Sequence, residues 1–266
     1  MNHKPKKSLG QNFLKSGSIA KRIVQAGKLH KGDTVLEIGP GKGMLTAHLL
    51  ETGAKVVAVE KDDLLISLLS EKFSKELKSG QFTLIHNDIL EFQASAYGLK
   101  PNAYSIIANI PYYITGALFK KFLESDCHPK TMVFLVQKEV AERIVARDDK
   151  ESILSISVKA YGNPQIALKV PSRFFSPEPK VDSAVLTVEN ISKKLFEASN
   201  IDEKFFFEVV KAGFAHKRKV AIKNLEKIAK REDLKKAFED LNIPDKARPE
   251  NIRVEKWITL VSLLCK

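Results

Sequence analysis

Asn109-Ile110-Pro111-Tyr112 places an amide, a constrained peptide and an aromatic plane within four residues. The Asn side-chain carbonyl and the Ile110 peptide carbonyl are both hydrogen-bond acceptors. The proline that follows Ile110 fixes the backbone that aims the second one. Tyr112 offers a flat face for stacking. A second constellation lies upstream. Gly39-Pro40-Gly41-Lys42-Gly43 follows the apolar run TVLEI at 34–38 and precedes a helical pattern. Glycines there let the backbone approach a ligand and turn sharply. Glu60 ends the next apolar run, 21 residues after Gly39, where a carboxylate accepts both ribose hydroxyls of a nucleoside. Asn87-Asp88 follows FTLIH, and Asn109 follows YSIIA. Glycine loop and carboxylate together suggest an adenosine-containing cofactor.

The glycine spacing narrows the choice. A dinucleotide pattern G-x-G-x-x-G needs glycine at 44, where Met44 stands. The spacing is G-x-G-x-G, with Glu37 just before it, and is similar to the usual form in S-adenosylmethionine methyltransferases. N-x-P-Y is the form found in methyltransferases that modify exocyclic amino groups of nucleobases. The lone pair of adenine N6 is delocalised into the ring, so that nitrogen is a poor nucleophile. Two acceptors on its amino group favour a more tetrahedral nitrogen whose lone pair can face a methyl group. No strong general base is needed, because the attacked methyl sits on a sulfonium and the amine becomes acidic once methylated. The protein supplies positioning and preorganised dipoles. Each piece has a plainer use: a ligand-free strand-to-helix corner, an N-cap at Asp88, an Asn-Pro turn with a core tyrosine. Three successive strand ends carrying Glu60, Asp88 and Asn109 favour one shared crevice.

Elements must hold these groups together. Strand-length apolar runs at Thr34–Ile38, Lys55–Val59, Phe82–His86, Tyr104–Ala108 and Met132–Val136 alternate with helical patterns at Leu45–Glu51, Leu64–Phe73, Leu118–Leu123 and Lys138–Ala146. Short, nearly all-apolar strands alternating with helices imply a parallel sheet covered on both faces. Gln165–Val170 and Ser183–Val188 are expected as a terminal strand pair, separated by a loop containing Pro171, Pro177 and Pro179. Ser18–Leu29 reads as one helix behind a basic arm. After Asn190 the apolar spacing is helical only, at Phe205–Phe214, Val220–Ile228, Leu234–Leu241 and Val254–Leu264. The expected division is 1–32 (arm and helix), 33–190 (methyltransferase domain) and 191–266 (helical RNA-binding domain).

Composition excludes several classes. The 266 residues carry ordinary apolar and charged fractions, 44% and 29%, so wholesale disorder is not expected. Two cysteines exclude a disulfide scaffold and a four-cysteine zinc site, and no metal is expected. Neither a signal-peptide core nor a run of 18 apolar residues occurs, so a cytoplasmic protein with no membrane partner is expected. The net charge of +12 is segregated: residues 1–32 hold eight Lys and Arg and no acid, 33–190 hold 18 basic against 20 acidic, and 191–266 hold 18 against 12. Such segregation fits a polyanion docking on selected surfaces. The expected contacts are Lys4, Lys6, Lys7 and Lys15 on the arm, and Lys217, Arg218, Lys219 and Lys223 on a C-terminal helix. There Lys219 and Lys223 would form an i,i+4 pair of like charges.

The whole chain resembles the KsgA-type family of small-subunit rRNA adenine N6,N6-dimethyltransferases. The matching segments run in order: Gln11-Asn12-Phe13-Leu14, EIGPGKGMLT at 37–46, Val59-Glu60, Asn87-Asp88, NIPYYIT at 109–115, FLVQKEVAERI at 134–144, FFSPEPKVDSA at 174–184, FAHKRKVAIKNL at 214–225 and ARPENI at 247–252. The resemblance implies a Rossmann-like class I methyltransferase sheet with a small helical C-terminal domain. It also implies transfer of two methyl groups to each of two adjacent adenosines, in a hairpin near the 3′ end of the small-subunit (16S) rRNA. By position, cofactor contacts fall on Asn12, Leu14, Gly39, Glu60, Asp88 and Asn109, joined by Gly41 of the loop. Target-base contacts fall on Asn109, Tyr112 and Phe175, with Ile110 and Pro111 completing the motif. Phe175 would be the opposite wall of the adenine slot. Ile110 replaces a frequent leucine, and His216-Lys217-Arg218-Lys219 replaces a run rich in glutamine and arginine. The expected partner is the immature small ribosomal subunit, met by a monomer. Macrolide-resistance dimethyltransferases share the fold and N-I-P-Y but act on large-subunit rRNA, and ARPENI resembles the KsgA type instead. Two further readings are a non-catalytic assembly checkpoint and a DNA adenine methyltransferase, the latter disfavoured by the lack of a groove-reading motif.

Overall fold

The structure, a computed structural model, describes residues 5–6, 9–216 and 218–265. The chain forms two compact units, Met1–Ala141 with Asn163–Ile191, and Glu142–Gly162 with Ser192–Lys266. The later break, after Ile191, lies one residue from the sequence boundary at 190, but an earlier stretch crosses over. Residues 142–162 sort with the C-terminal helices, and the N-terminal arm sorts with the sheet.

The first unit begins with a two-residue strand, β1 (Phe13–Leu14), and helix α1 (Gly17–Ala26), whose N-cap Ser16 accepts from the Ile19 N–H. There follow β2 (Thr34–Ile38), α2 (Met44–Glu51), β3 (Lys55–Glu60), α3 (Asp63–Lys72), α4 (Ser74–Ser79), β4 (Phe82–His86), β5 (Tyr104–Asn109), α5 (Thr115–Leu123) and β6 (Thr131–Gln137). Helix α6 (Lys138–Val145) leads into the second unit through α7 (Ile153–Lys159). The chain returns to the sheet as β7 (Asn163–Val170), β8 (Phe175–Ser176) and β9 (Ser183–Glu189). The main sheet has the order β4-β3-β2-β5-β6-β9-β7. β2 to β6 run parallel, while β9 runs antiparallel to both β6 and β7. The order reverses between β2 and β5. That opens a crevice at their carboxyl ends, where open α/β sheets take ligands.

The central strands are covered on both faces, which is why β2, β5, β6 and β9 are apolar almost throughout. Val35, Val56, Ala58, Ile107 and Val133 join side chains of α1, α2 and α3 in one core. On the other face α5 sets Phe119 against Phe134, ring centroids 5.3 Å apart. Each such fully buried aromatic contributes about 1.5–3 kcal/mol. β1 pairs antiparallel with β8, matching Phe13 to Ser176 and Leu14 to Phe175.

The second unit is helical among its described residues: α6's end and α7, then α8 (Lys194–Ser199), α9 (Glu203–Gly213), α10 (Ala221–Leu225), α11 (Arg231–Asp240) and α12 (Val254–Leu264). Phe206, Phe238 and Trp257 are fully buried. Buried Asn224 donates from Nδ2 to the carbonyls of Gly213 (2.6 Å) and His216 (3.2 Å), fastening the end of α9 to the turn that follows.

Candidate active site

A cavity of about 360 Å³ opens at the carboxyl ends of β2, β3, β4 and β5, roofed by residues 9–14. The glycine loop forms its floor. Gly41 has φ +58°, and its N–H donates to Glu60 Oε2 at 3.2 Å. A Cβ at 41 would lie 3.0 Å from the Phe13 ring, so the close approach and the left-handed backbone both call for glycine there. Glu60 itself is buried. Its Oε1 accepts from the N–H groups of Lys61 and Asp62, each at 2.9 Å. Burial pushes its pKa up, and the three backbone donors pull against that.

Glu37, at the end of β2, is 1% exposed and also lines the cavity. Thr46 flanks it, yet neither carboxyl oxygen meets hydrogen-bond geometry with any described residue. Burial pushes its pKa up to about 8. Asp88, after β4, accepts from the Leu90 N–H at 2.9 Å and pairs with Lys61 at 2.7 Å. Lys61 holds its pKa below the usual carboxylate range. Asp88 thus serves as both a turn-former and a polar group of the crevice.

Asn109 ends β5 and is half-buried on the cavity wall. Its Nδ2 donates to the Asn12 carbonyl at 3.0 Å. Only the NH2 side of an amide can face a carbonyl, so Oδ1 is the atom left to accept. Among the described residues no donor takes it. Pro111 (φ −60°, ψ 130°) precedes a 3₁₀ turn at Tyr112–Ile114. The Tyr112 hydroxyl is pinned to Ser183 Oγ at 2.7 Å, and burial raises its pKa. The ring stays on the cavity wall with its edge anchored.

Of the residues singled out from the sequence, Asn12, Leu14, Gly39, Gly41, Glu60, Asp88, Asn109, Ile110, Pro111 and Tyr112 all line this one cavity. Phe175 does not. It is 0% exposed and belongs to the core with Leu14, its partner across the β1–β8 ribbon. In this structure it is a packing residue rather than a slot wall. Lys6 also departs from expectation. Its ammonium lies 2.8 Å from Oδ1 of Asp62, whose side chain is wholly buried, because a buried carboxylate requires a partner. Lys15, Arg218, Lys219 and Lys223 are exposed. Arg218 and Lys219 stand in the turn before α10, so Lys219 and Lys223 are not an i,i+4 helix pair. They border one basic concavity together with Lys227. Lys4, Lys7 and Lys217 lie outside the described residues. Sequence reasoning missed Asp62, Lys61, Leu9, Gly10, Tyr113 and Ser183. Only Asp62, two residues after Glu60 and at the head of a helix, carried a local signal, that of an N-cap.

Among the described residues no cluster of three or more His, Cys, Asp or Glu side chains is spaced to hold a metal. No helix among them is long and apolar enough to cross a membrane. Sheet order, glycine loop and crevice together define a Rossmann-like methyltransferase domain. The solved structures agree. A dimethyladenosine transferase from Plasmodium falciparum is 25% identical and superposes with a TM-score of 0.77, covering 93% of this chain and 95% of that one. The 23S rRNA methyltransferase ErmE, also 25% identical, superposes at 0.76 over 96% of this chain and 100% of its own. A family model described as ribosomal RNA adenine dimethylase matches residues 2–266. The chain is 38% identical over 257 residues to ribosomal RNA small subunit methyltransferase A of Dehalococcoides mccartyi, covering 96% of this chain and 86% of that protein. It is 36% identical over 269 residues to the protein of that name from Fusobacterium nucleatum, covering 99% and 98%. The chain belongs to the ribosomal RNA adenine dimethylase family.

Proposed function

We propose that the protein dimethylates N6 of two adjacent adenosines in a hairpin near the 3′ end of small-subunit rRNA, with S-adenosylmethionine as methyl donor. The amide of Asn109, oriented by the Asn12 carbonyl, carries this reading. Adenine is recognised through an amino group, and a fixed acceptor is what that group requires. The cavity suits the donor: Glu60 for the ribose and Asp88 for a polar edge of the adenine ring. When bound, that cofactor supplies an electrophilic methyl on a sulfonium. Asn109 Oδ1 and the Ile110 carbonyl then accept from the target amino group, drawing its lone pair out of conjugation. Tyr112, pinned at its hydroxyl, holds the ring face. The base leaves its helix to reach this depth, and the exposed cations Lys15 of the first unit and Arg218, Lys219 and Lys223 of the second are the groups that meet RNA phosphates. The protein works as a monomer in the cytoplasm, on the immature small subunit.

The test is to incubate the protein with labelled S-adenosylmethionine and small subunits from a strain lacking the modification, then map the product nucleosides. Dimethyladenosine at paired adjacent positions is expected. Large subunits are offered in a parallel reaction: label on these alone, as for the ErmE-like alternative, or no label in either, overturns the assignment. Asn109→Ala should lower turnover by about 10²–10³-fold while small-subunit binding persists. Loss of both would point to a folding defect, and retention of both would remove Asn109 from the mechanism.

A further inference from the structure

Asp62 is 1% exposed and makes more bonds than a helix cap needs. Oδ1 accepts from the Leu64 N–H of α3 at 3.2 Å, the capping bond, and also from Lys6 Nζ at 2.8 Å. Oδ2 accepts from Gln11 Nε2 at 3.0 Å. The two arm residues are themselves joined, since the Lys6 N–H donates to Gln11 Oε1 at 2.7 Å. At its other end the same segment enters β1, paired with β8, and the Lys15 N–H donates to the Phe174 carbonyl at 2.8 Å. Residues 9–12 are therefore a strap held at both ends, and they line the cavity. Gly10 has φ +60° and lies under Tyr113, whose Cε1 would be 3.1 Å from a Cβ there. Asn12, the last residue of the strap, is the one whose carbonyl orients Asn109.

From these contacts we infer that Asp62 is a positioning residue for methyl transfer. By clasping Lys6 and Gln11 it keeps residues 9–12 across the cofactor cavity, and through Asn12 it sets the acceptor that meets the target amine. A cap alone does not account for the arrangement, because Ser or Asn would cap α3 as well, and only a carboxylate adds a charged bond to Lys6. One side chain at the head of α3 thus links the cofactor side of the crevice to the base side at the end of β5. This inference rests on the methyltransferase reading.

Its test compares Lys6→Met/Gln11→Ala with Lys6→Arg, both of which leave the α3 cap in place. Wild type is assayed first for methyl transfer to small subunits, then each variant for kcat, KM for S-adenosylmethionine, thermal midpoint and tryptic cleavage at exposed Lys15. The double variant is expected to raise KM by about tenfold, to lower kcat, and to be cut sooner at Lys15. Lys6→Arg is expected to restore wild-type values. The inference is overturned if the double variant keeps wild-type KM and kcat, or if lost activity follows only a lowered midpoint with KM unchanged. If the double variant does not fold, Lys6→Met against Lys6→Arg gives the same comparison. Failure of wild type to methylate any rRNA would instead remove the functional reading on which the inference stands.

Discussion

A carboxyl sealed at the end of a strand must be protonated or partnered, and Glu37 has beside it only Thr46, short of good hydrogen-bond geometry. Its pKa, raised by burial from 4.5 to about 8, exceeds that in the unfolded chain. The folded protein therefore holds this proton more tightly between about pH 4.5 and pH 8. The stability it contributes is complete below the unfolded pKa and is lost as pH rises through the folded one. Glu60, raised by the same cause, acts with the same sign. Asp33 and Asp88 are lowered from 3.8, so what they contribute is lost only in stronger acid. Glu37→Gln should flatten, without abolishing, the fall in urea midpoint between about pH 5 and pH 8. An unchanged slope would mean that Glu37 is ionised or satisfied in the folded protein. Phe175 is a second test at this scale. As a core residue, Phe175→Ala should cost about 3–5 kcal/mol, whereas Phe175→Leu should cost under about 1.5 kcal/mol and leave turnover intact. A Leu variant that folds normally yet loses turnover would return the side chain to the base slot.

Among the elements, the turn from β2 into α2 is the most constrained. Gly43 has φ +73°, and a Cβ there would lie 2.5 Å from Phe73 Cε2. Gly43→Ala combines about 1–2 kcal/mol of left-handed backbone strain with displacement of a buried ring. It should lower the urea midpoint, and a midpoint equal to wild type would show that Phe73 moves aside freely. This corner was legible in the sequence because short apolar runs and glycines are local signals. The seven main strands were legible for the same reason: most are buried along nearly their whole length, and each was expected within two residues of its observed ends. β1 and β8 were not. Two residues carry no periodicity, and their pairing joins positions about 160 apart. Helix α7 was hidden as well, since Ile-Leu-Ser-Ile-Ser-Val alternates like a strand. A capping box between Ser152 and Ser155 starts it as a helix. The clasp at Asp62 escaped for a similar reason, because nothing in Lys6, Gln11 or Asp62 announces a meeting across more than fifty residues.

At the scale of the whole molecule the +12 charge is informative only through its distribution. One arm lysine, Lys6, is consumed by an internal ion pair. In the second unit Arg218, Lys219 and Lys223 stand exposed, the last two beside Lys227 around one concavity. Arg218→Ala/Lys219→Ala/Lys223→Ala should weaken rRNA binding and reduce the slope of log affinity against log salt by about one for each phosphate no longer neutralised. Unchanged binding across a salt series would place the RNA interface elsewhere. The cations at 218 and 219 are not carried on a free tether, because the Asn224 amide stitches both ends of the bend that precedes them. A phosphate row arriving at that corner meets a backbone already folded to shape. Less chain entropy then remains to be lost on association, and a modest number of charges can yield a firmer grip than the same charges on a floppy tail.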